Sequence, residues 1–99
     1  MLSIAVTKET ISNSYYNPLH NDRYPWCLVD ENDNVTVLCA TVNIAEQIRN
    51  PHIHRLDTNN WFHNGWMDGF SIISNKPNNS PVALCTSDAI CNQILNSLK

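Results

Sequence analysis

The stretch LCATVNIAEQIRN, residues 38–50, is followed by LCTSDAICNQILN, residues 84–96, and this near-repetition decides the fold class. At an offset of 46, residues 13–50 align without a gap with residues 59–96, and nine aligned pairs are identical. Self-similarity at a fixed spacing is typical of a duplicated supersecondary unit. The sequence therefore predicts a single domain, residues 1–99, with an internal repeat of residues 13–50 and 59–96.

Each half contains two short apolar runs separated by a polar turn, followed by a segment with helical periodicity. The runs are YPWCLVD and VTVLCA in the first half, and GFSIIS and PVALCT in the second. β-Branched and aromatic residues between Asn, Asp and Pro clusters are typical of hairpins. The hydroxyls of Thr41 and Ser87 are suited to cap the helices, and Pro51 ends the first. Each half is therefore predicted to be a ββα unit.

A lone ββα unit is too small to bury its own apolar face. Two units related by a pseudo-twofold can pool their hairpins, which predicts an α+β fold: an antiparallel sheet of four or more strands covered by two helices. LSIAVT, residues 2–7, predicts an additional strand at an edge. Because Gly65 and Gly69 are the only glycines, we expect asparagine to occupy turn positions that need positive φ.

The composition argues against several classes of partner and compartment. The net charge is −3 and the basic residues are scattered, so no nucleic-acid partner is expected. No apolar run approaches a membrane span, and the first residues do not resemble a signal peptide, so we expect a cytoplasmic protein. The four cysteines lie inside apolar runs, and we expect them to be reduced thiols that pack as small hydrophobic residues rather than act as nucleophiles: Cys27, Cys39, Cys85 and Cys91.

Three histidines offer an alternative metal site. His52 and His54 alternate, and His63 follows nearby, so three imidazoles could hold zinc with His20 or Asp57 as a fourth ligand. The competing interpretation is a polar linker between the two halves, because the spacing matches no established metal motif. The leading expectation is a protein without a metal or another cofactor.

Two segments are candidate contacts for a protein partner. The segment WFHNGWMDGF, residues 61–70, is rich in the aromatic residues that protein interfaces favour. The turn after the first strand is acidic, whereas the second half has Lys and Pro there. The alternatives are an aromatic contribution to the core and a solvated hairpin tip. The predicted partner-binding residues are Trp61, Phe62, Trp66, Asp30, Glu31 and Asp33.

The runs PWCLVDENDNVTVLCATVNIAEQI, residues 25–48, and FSIISNKPNNSPVALCTSDAICNQILNSL, residues 70–98, resemble hairpin–helix units of small phage and prophage accessory proteins. The second run departs from that pattern because it lacks the strand tryptophan. Such proteins include inhibitors of host defence, among them anti-CRISPR proteins. The resemblance implies a protein that binds and occludes a host defence complex.

These observations lead to one functional hypothesis and two alternatives. The first is a non-catalytic protein-binding module. The second is a small zinc protein or metal-dependent enzyme that uses His52, His54 and His63. The third is a structural homodimer in which an exposed sheet edge pairs across a twofold axis.

Overall fold

The computed structural model describes residues 2–7, 23–53, 56–65 and 70–98. Their order along the chain is three strands, a helix, three strands and a second helix. The strands are β1 (Ser3–Val6), β2 (Trp26–Val29), β3 (Val35–Cys39), β4 (Trp61–Gly65), β5 (Ser71–Asn75) and β6 (Ser80–Cys85). The helices are α1 (Val42–Arg49), which follows β3, and α2 (Asp88–Ser97), which follows β6.

The strands form one sheet in the order β1-β2-β3-β6-β5-β4, and every neighbouring pair is antiparallel. The α+β class is therefore confirmed, and the described residues form an antiparallel sheet of six strands. The predicted strand within residues 2–7 is β1, and it lies at an edge as expected. β4 forms the opposite edge, and it is a strand that the sequence does not predict.

The sheet therefore differs from the predicted pairing of two ββα units. Among the described residues, each half contains three strands before its helix, and the halves meet where β3 pairs with β6. Residues 13–22 of the predicted repeat lie outside the described residues.

The register also corrects the ungapped alignment. Leu38 lies directly opposite Leu84, the residue that the offset of 46 aligns with it. The offset of 46 would align Cys27 with Ile73. In the sheet, however, Cys27 pairs with Leu38 and Ile72 pairs with Leu84, so Cys27 corresponds to Ile72. The difference arises in the hairpin turns. Leu38 follows Cys27 by 11 positions along the chain, whereas Leu84 follows Ile72 by 12, so the second hairpin is one residue longer between these equivalent pairs.

Both helices begin at the predicted caps. Thr41 Oγ1 accepts a hydrogen bond from the Ile44 amide at 3.1 Å, and Ser87 Oγ accepts one from the Ile90 amide at 3.2 Å. These bonds satisfy amides that the first helical turn leaves without a partner. α1 ends at Arg49, and its C-cap is Asn50, immediately before Pro51, which disfavours helical geometry in the residue before it.

Buried side chains form a separate cluster on each face of the sheet. The cluster between the sheet and the helices comprises Leu28, Val37, Cys39, Ala45, Ile48, Ile73, Val82, Ala83, Cys85, Cys91 and Ile94. The cluster on the other face comprises Tyr24, Cys27, Val29, Leu38, Ile72 and Leu84. Strand residues contribute alternately to the two clusters because neighbouring side chains point to opposite faces. All four cysteines are buried in these clusters, as predicted.

The hairpin turns use polar residues where the backbone is left-handed. Asp33 has φ 63° in the β2–β3 turn, and Asn79 has φ 53° in the β5–β6 turn. Asp and Asn tolerate this region better than other non-glycine residues. The expectation for asparagine holds at residue 79, while aspartate serves the same purpose at residue 33.

Neither of the two helices in the described part of the chain is long and apolar enough to cross a membrane.

Candidate functional site

A groove lies between the edge strand β4 and the C-terminal half of α2. It encloses about 310 Å³ and is lined by Thr58, Asn59, Trp61, Phe62, Leu95 and Leu98. We call it the β4–α2 groove. α2 starts beside the end of β4 and runs back along it, because Asp88 contacts β4 at His63 while Leu95 and Leu98 lie near Trp61. The groove is therefore built by the packing of α2 against an edge strand.

Trp61 contributes to the core and to the surface. It is half-buried and packs against the cluster between the sheet and the helices. Its indole also lines a second cavity, of about 270 Å³, beside the start of α1. Trp61 therefore fits both interpretations of the aromatic segment, as a contribution to the core and as a contact for a partner. Its removal would affect the fold as well as a binding surface.

Phe62 is better placed to act as a surface contact. Its side chain points to the face opposite Trp61, because adjacent residues of a strand alternate. The Lys76 ammonium lies over the Phe62 ring, 5.4 Å from its centroid, in a cation–π contact. The Lys76 amide also donates to the Asn60 carbonyl at 3.0 Å. A cation is thus held beside the apolar groove.

The structure does not bring the acidic turn and the aromatic pair together. Trp61 pairs with Asn75, next to the β5–β6 turn. The acidic turn lies at the other end of the sheet, where Thr86 donates its amide and hydroxyl hydrogens to the Thr36 carbonyl. Two strands, β6 and β5, also lie between β3 and β4 in the sheet order. The predicted residues therefore belong to two distinct surfaces, and Trp66 lies outside the described residues.

Asp30 stabilises its own hairpin. Asp30 Oδ1 accepts hydrogen bonds from the amides of Asn32 at 2.8 Å and Asn34 at 3.0 Å. The hydrogen bond from the Asn34 amide, followed by that from Asn32, lowers the pKa of the Asp30 carboxyl. Glu31 and Asp33 are exposed at the tip. Within the predicted acidic site, the Asp30 carboxylate therefore has a structural task in its own hairpin.

His63, Ser71 and Asp88 form a polar cluster beside the groove. His63 Nε2 lies 3.1 Å from Ser71 Oγ and 3.6 Å from Asp88 Oδ1, and the Ser71 hydroxyl donates to Asp88 Oδ1. In a hydrolase triad the carboxylate orients the second imidazole nitrogen, and the serine is accessible. Here the carboxylate lies nearest the same nitrogen as the serine, and Ser71 is fully buried. The cluster therefore joins β4 and β5 to the start of α2 and lacks the arrangement for acyl transfer.

Only part of the proposed histidine metal site lies within the described residues. His52 is exposed just after α1, whereas His63 projects from β4 toward α2. His54 lies outside the described residues. Among residues 2–7, 23–53, 56–65 and 70–98, no three His, Cys, Asp or Glu side chains are grouped so that they could hold a metal ion.

The buried thiols are poor nucleophiles. Desolvation, the largest cause, raises the pKa of Cys39, Cys85 and Cys91. A thiol without thiolate character reacts slowly with electrophiles. Cys27 is also fully buried. The environment of these residues agrees with their predicted packing role.

Several residues of the site had not been selected as functional candidates. The helical spacing of Leu95 and Leu98 predicts that they lie on the buried face of the second helix, and this spacing is the one signal that could place them beside a strand. In the sequence, Lys76 is distinguished only as a difference between the two halves. Ser71 and Asp88 carry no local motif that would reveal their contact with His63.

Comparison of the chain with family models, with curated proteins and with solved structures finds no match.

Proposed function

We propose that this protein is a non-catalytic protein-binding module whose principal contact is the β4–α2 groove. The observation that carries the proposal is a half-buried aromatic pair, Trp61 and Phe62, at an edge strand beside two leucines of α2. Aromatic residues at the rim of an apolar pocket are the usual anchors of protein interfaces. The groove lies at the lower end of the range of small-molecule sites, which favours the capture of a partner's side chain.

The surroundings of the candidate nucleophiles, the thiols and Ser71, support a binding function rather than a catalytic one. The thiols are buried with raised pKa values, and Ser71 is enclosed between His63 and Asp88. A covalent catalyst needs an activated nucleophile that its substrate can reach. The described thiols and Ser71 fit structural tasks better.

The proposed partner is a bacterial defence complex that the protein occludes. This choice follows from the resemblance to phage accessory proteins, and it agrees with a small fold that offers an apolar groove. A cytoplasmic location is part of the proposal, because free buried thiols suit a reducing compartment.

We also infer that the two halves descend from one βββα unit. Three features support this inference: the pairing of Leu38 with Leu84, the equivalent caps Thr41 and Ser87, and a matching register shift in the hairpin of each half. On this view β1 and β4 hold equivalent places in the sheet, and the aromatic pair of β4 has no counterpart among the four residues of β1. Such a difference between copies is a reasonable place for a binding function.

The test measures binding of the immobilised protein to purified CRISPR effector complexes. Phe62→Ala should weaken binding about tenfold or more, since removing an interface anchor costs at least 1–2 kcal/mol. Ser3→Ala, at the opposite edge of the sheet, is the control and should leave binding unchanged. If wild type binds no effector complex, the proposed partner is wrong; if wild type and Phe62→Ala bind equally, the proposed groove is wrong.

A second variant tests the acidic turn independently. Asp30→Asn, Glu31→Gln and Asp33→Asn together remove its charge at the far end of the sheet from Phe62. A loss of affinity in this triple variant would extend the partner surface to that end. Wild-type affinity would remove the acidic turn from the proposed site and leave the groove as the sole contact.

A further inference from the structure

We propose that the partner contributes an extended segment that adds to β4 as a seventh strand and places one apolar side chain in the β4–α2 groove. This inference rests on the proposed function and specifies how the same site recognises its partner. Addition of a strand to a sheet edge supplies affinity through backbone hydrogen bonds, while neighbouring pockets supply specificity.

β4 offers the backbone groups that such a segment needs. It is the last strand in the sheet order and pairs with β5 over all five of its residues. No further strand pairs with its outer side among the described residues. Its sequence, WFHNG, contains no lysine, proline or acidic residue of the kind that protects exposed edges from pairing. A compatible extended segment can therefore extend the sheet here.

The groove provides the apolar pocket at one end of this edge. Trp61 and Phe62 point to opposite faces of β4, yet both line the groove, so it opens where β4 begins. Leu95 and Leu98 close it from α2. Its volume of about 310 Å³ accommodates an aliphatic or aromatic side chain. A segment that pairs with β4 would thus direct such a side chain beneath the last turn of α2.

Charges at the two ends of β4 define the polarity of the segment. Lys76 lies beside Phe62 at the start of the strand. Asp88 contacts His63 in the middle of β4 and Ser71, which pairs with Gly65 at the end of the strand, and its side chain is 72% exposed. All strand pairs in this sheet are antiparallel, so the added segment would run from the Asp88 end toward the Lys76 end. Complementarity therefore calls for a basic residue near its N-terminus and an acidic residue near its C-terminus.

Two capped peptides of identical composition test this inference on the full chain. The first is acetyl-Lys-Lys-Thr-Val-Leu-Val-Thr-Glu-Glu-amide, and the second exchanges its Lys and Glu pairs. Each is titrated into nitrogen-15-labelled protein. The first should shift the amide resonances of residues 61–65 and bind about three- to tenfold more tightly than the second, as expected for two exposed ion pairs. Phe62→Ala should weaken the first peptide, whereas Ser3→Ala should not.

Equal affinity for the two peptides, or unchanged resonances at residues 61–65, would overturn strand addition with this polarity. A concentration-dependent dimer that alters these same resonances without peptide would assign the edge to a second copy of the chain and would also overturn it. A different experiment tests the proposed function: that function is wrong if Phe62→Ala leaves capture of the effector complex unchanged. If that capture is lost but the peptides do not bind, the site stands and only the mode of recognition is wrong.

Discussion

Leu38 lies directly opposite Leu84 where β3 pairs with β6, so the two halves of the sheet meet at a pair of identical residues. Both side chains are buried, with exposed fractions of 0% and 2%, and both belong to the cluster on the face away from the helices. A pair at this position joins the hydrophobic packing of one half to that of the other. The stability of the whole sheet should therefore depend on it.

Leu38→Ala should lower the free energy of unfolding by about 2–5 kcal/mol, because truncating a buried leucine removes apolar contacts and leaves a cavity. Urea denaturation measures the loss. Val35→Ala, at the half-buried start of the same strand, is the matched control and should cost less. The double variant with Leu84→Ala should deviate from the sum of the single losses, because the two residues face each other. Additive losses would contradict direct coupling.

Ser87→Ala should destabilise the protein by about 1 kcal/mol, because the Ile90 amide loses its capping acceptor. Ser87→Asp should retain most of the stability, since its carboxylate can accept the same bond and is favourable near a helix N-terminus. Thermal denaturation of the three proteins compares them. Equal stability of Ser87→Ala and wild type would show that the cap contributes little here.

Asp30 should make stability depend on acid pH. Its pKa is lower in the folded state, so its contribution is present above the pKa of the unfolded chain, about 3.9, and is lost as the pH falls through the folded value. Asp30→Asn keeps an acceptor oxygen but removes the charge. The stability of this variant should consequently fall less between pH 5 and pH 2 than that of wild type.

Denaturation midpoints measured across this pH range test the prediction for Asp30. Asp33→Asn is the matched control, because it removes one charge from the same turn without touching the two hydrogen bonds to Asp30 Oδ1. Its pH profile should remain closer to that of wild type. Identical profiles for Asp30→Asn and wild type would contradict the assigned role of the Asp30 carboxylate.

The four thiols should react slowly with an aromatic disulfide reagent in the native protein at pH 8, and rapidly in denaturant. All four are buried, and desolvation raises the pKa of Cys39, Cys85 and Cys91. The released chromophore counts the accessible thiols. One thiol that reacts at the rate of a free cysteine in the native state would show that its burial is incomplete.

The local elements of the fold were predictable because they depend on neighbours in the chain. Thr41, Ser87 and Pro51 mark helix boundaries through backbone geometry, and alternating apolar residues mark the hairpin strands. β4 escaped prediction because WFHNG has little apolar alternation, and its pairing with β5 stabilises it as a strand. The one-residue difference between the two hairpin turns could not be predicted either, because the register of a hairpin is defined by which residues pair across its strands.

The sequence by itself determined the α+β class, the helix caps, the apolar positions of the cysteines and the existence of β1 as an additional strand, because composition and short-range periodicity control these features. Only the tertiary structure decided which surfaces are contiguous. It placed Phe62 beside Lys76 and α2, joined His63 to Ser71 and Asp88, and separated the acidic turn from the aromatic pair. Those relationships depend on strand order and helix packing, which bring together residues that are distant in the chain.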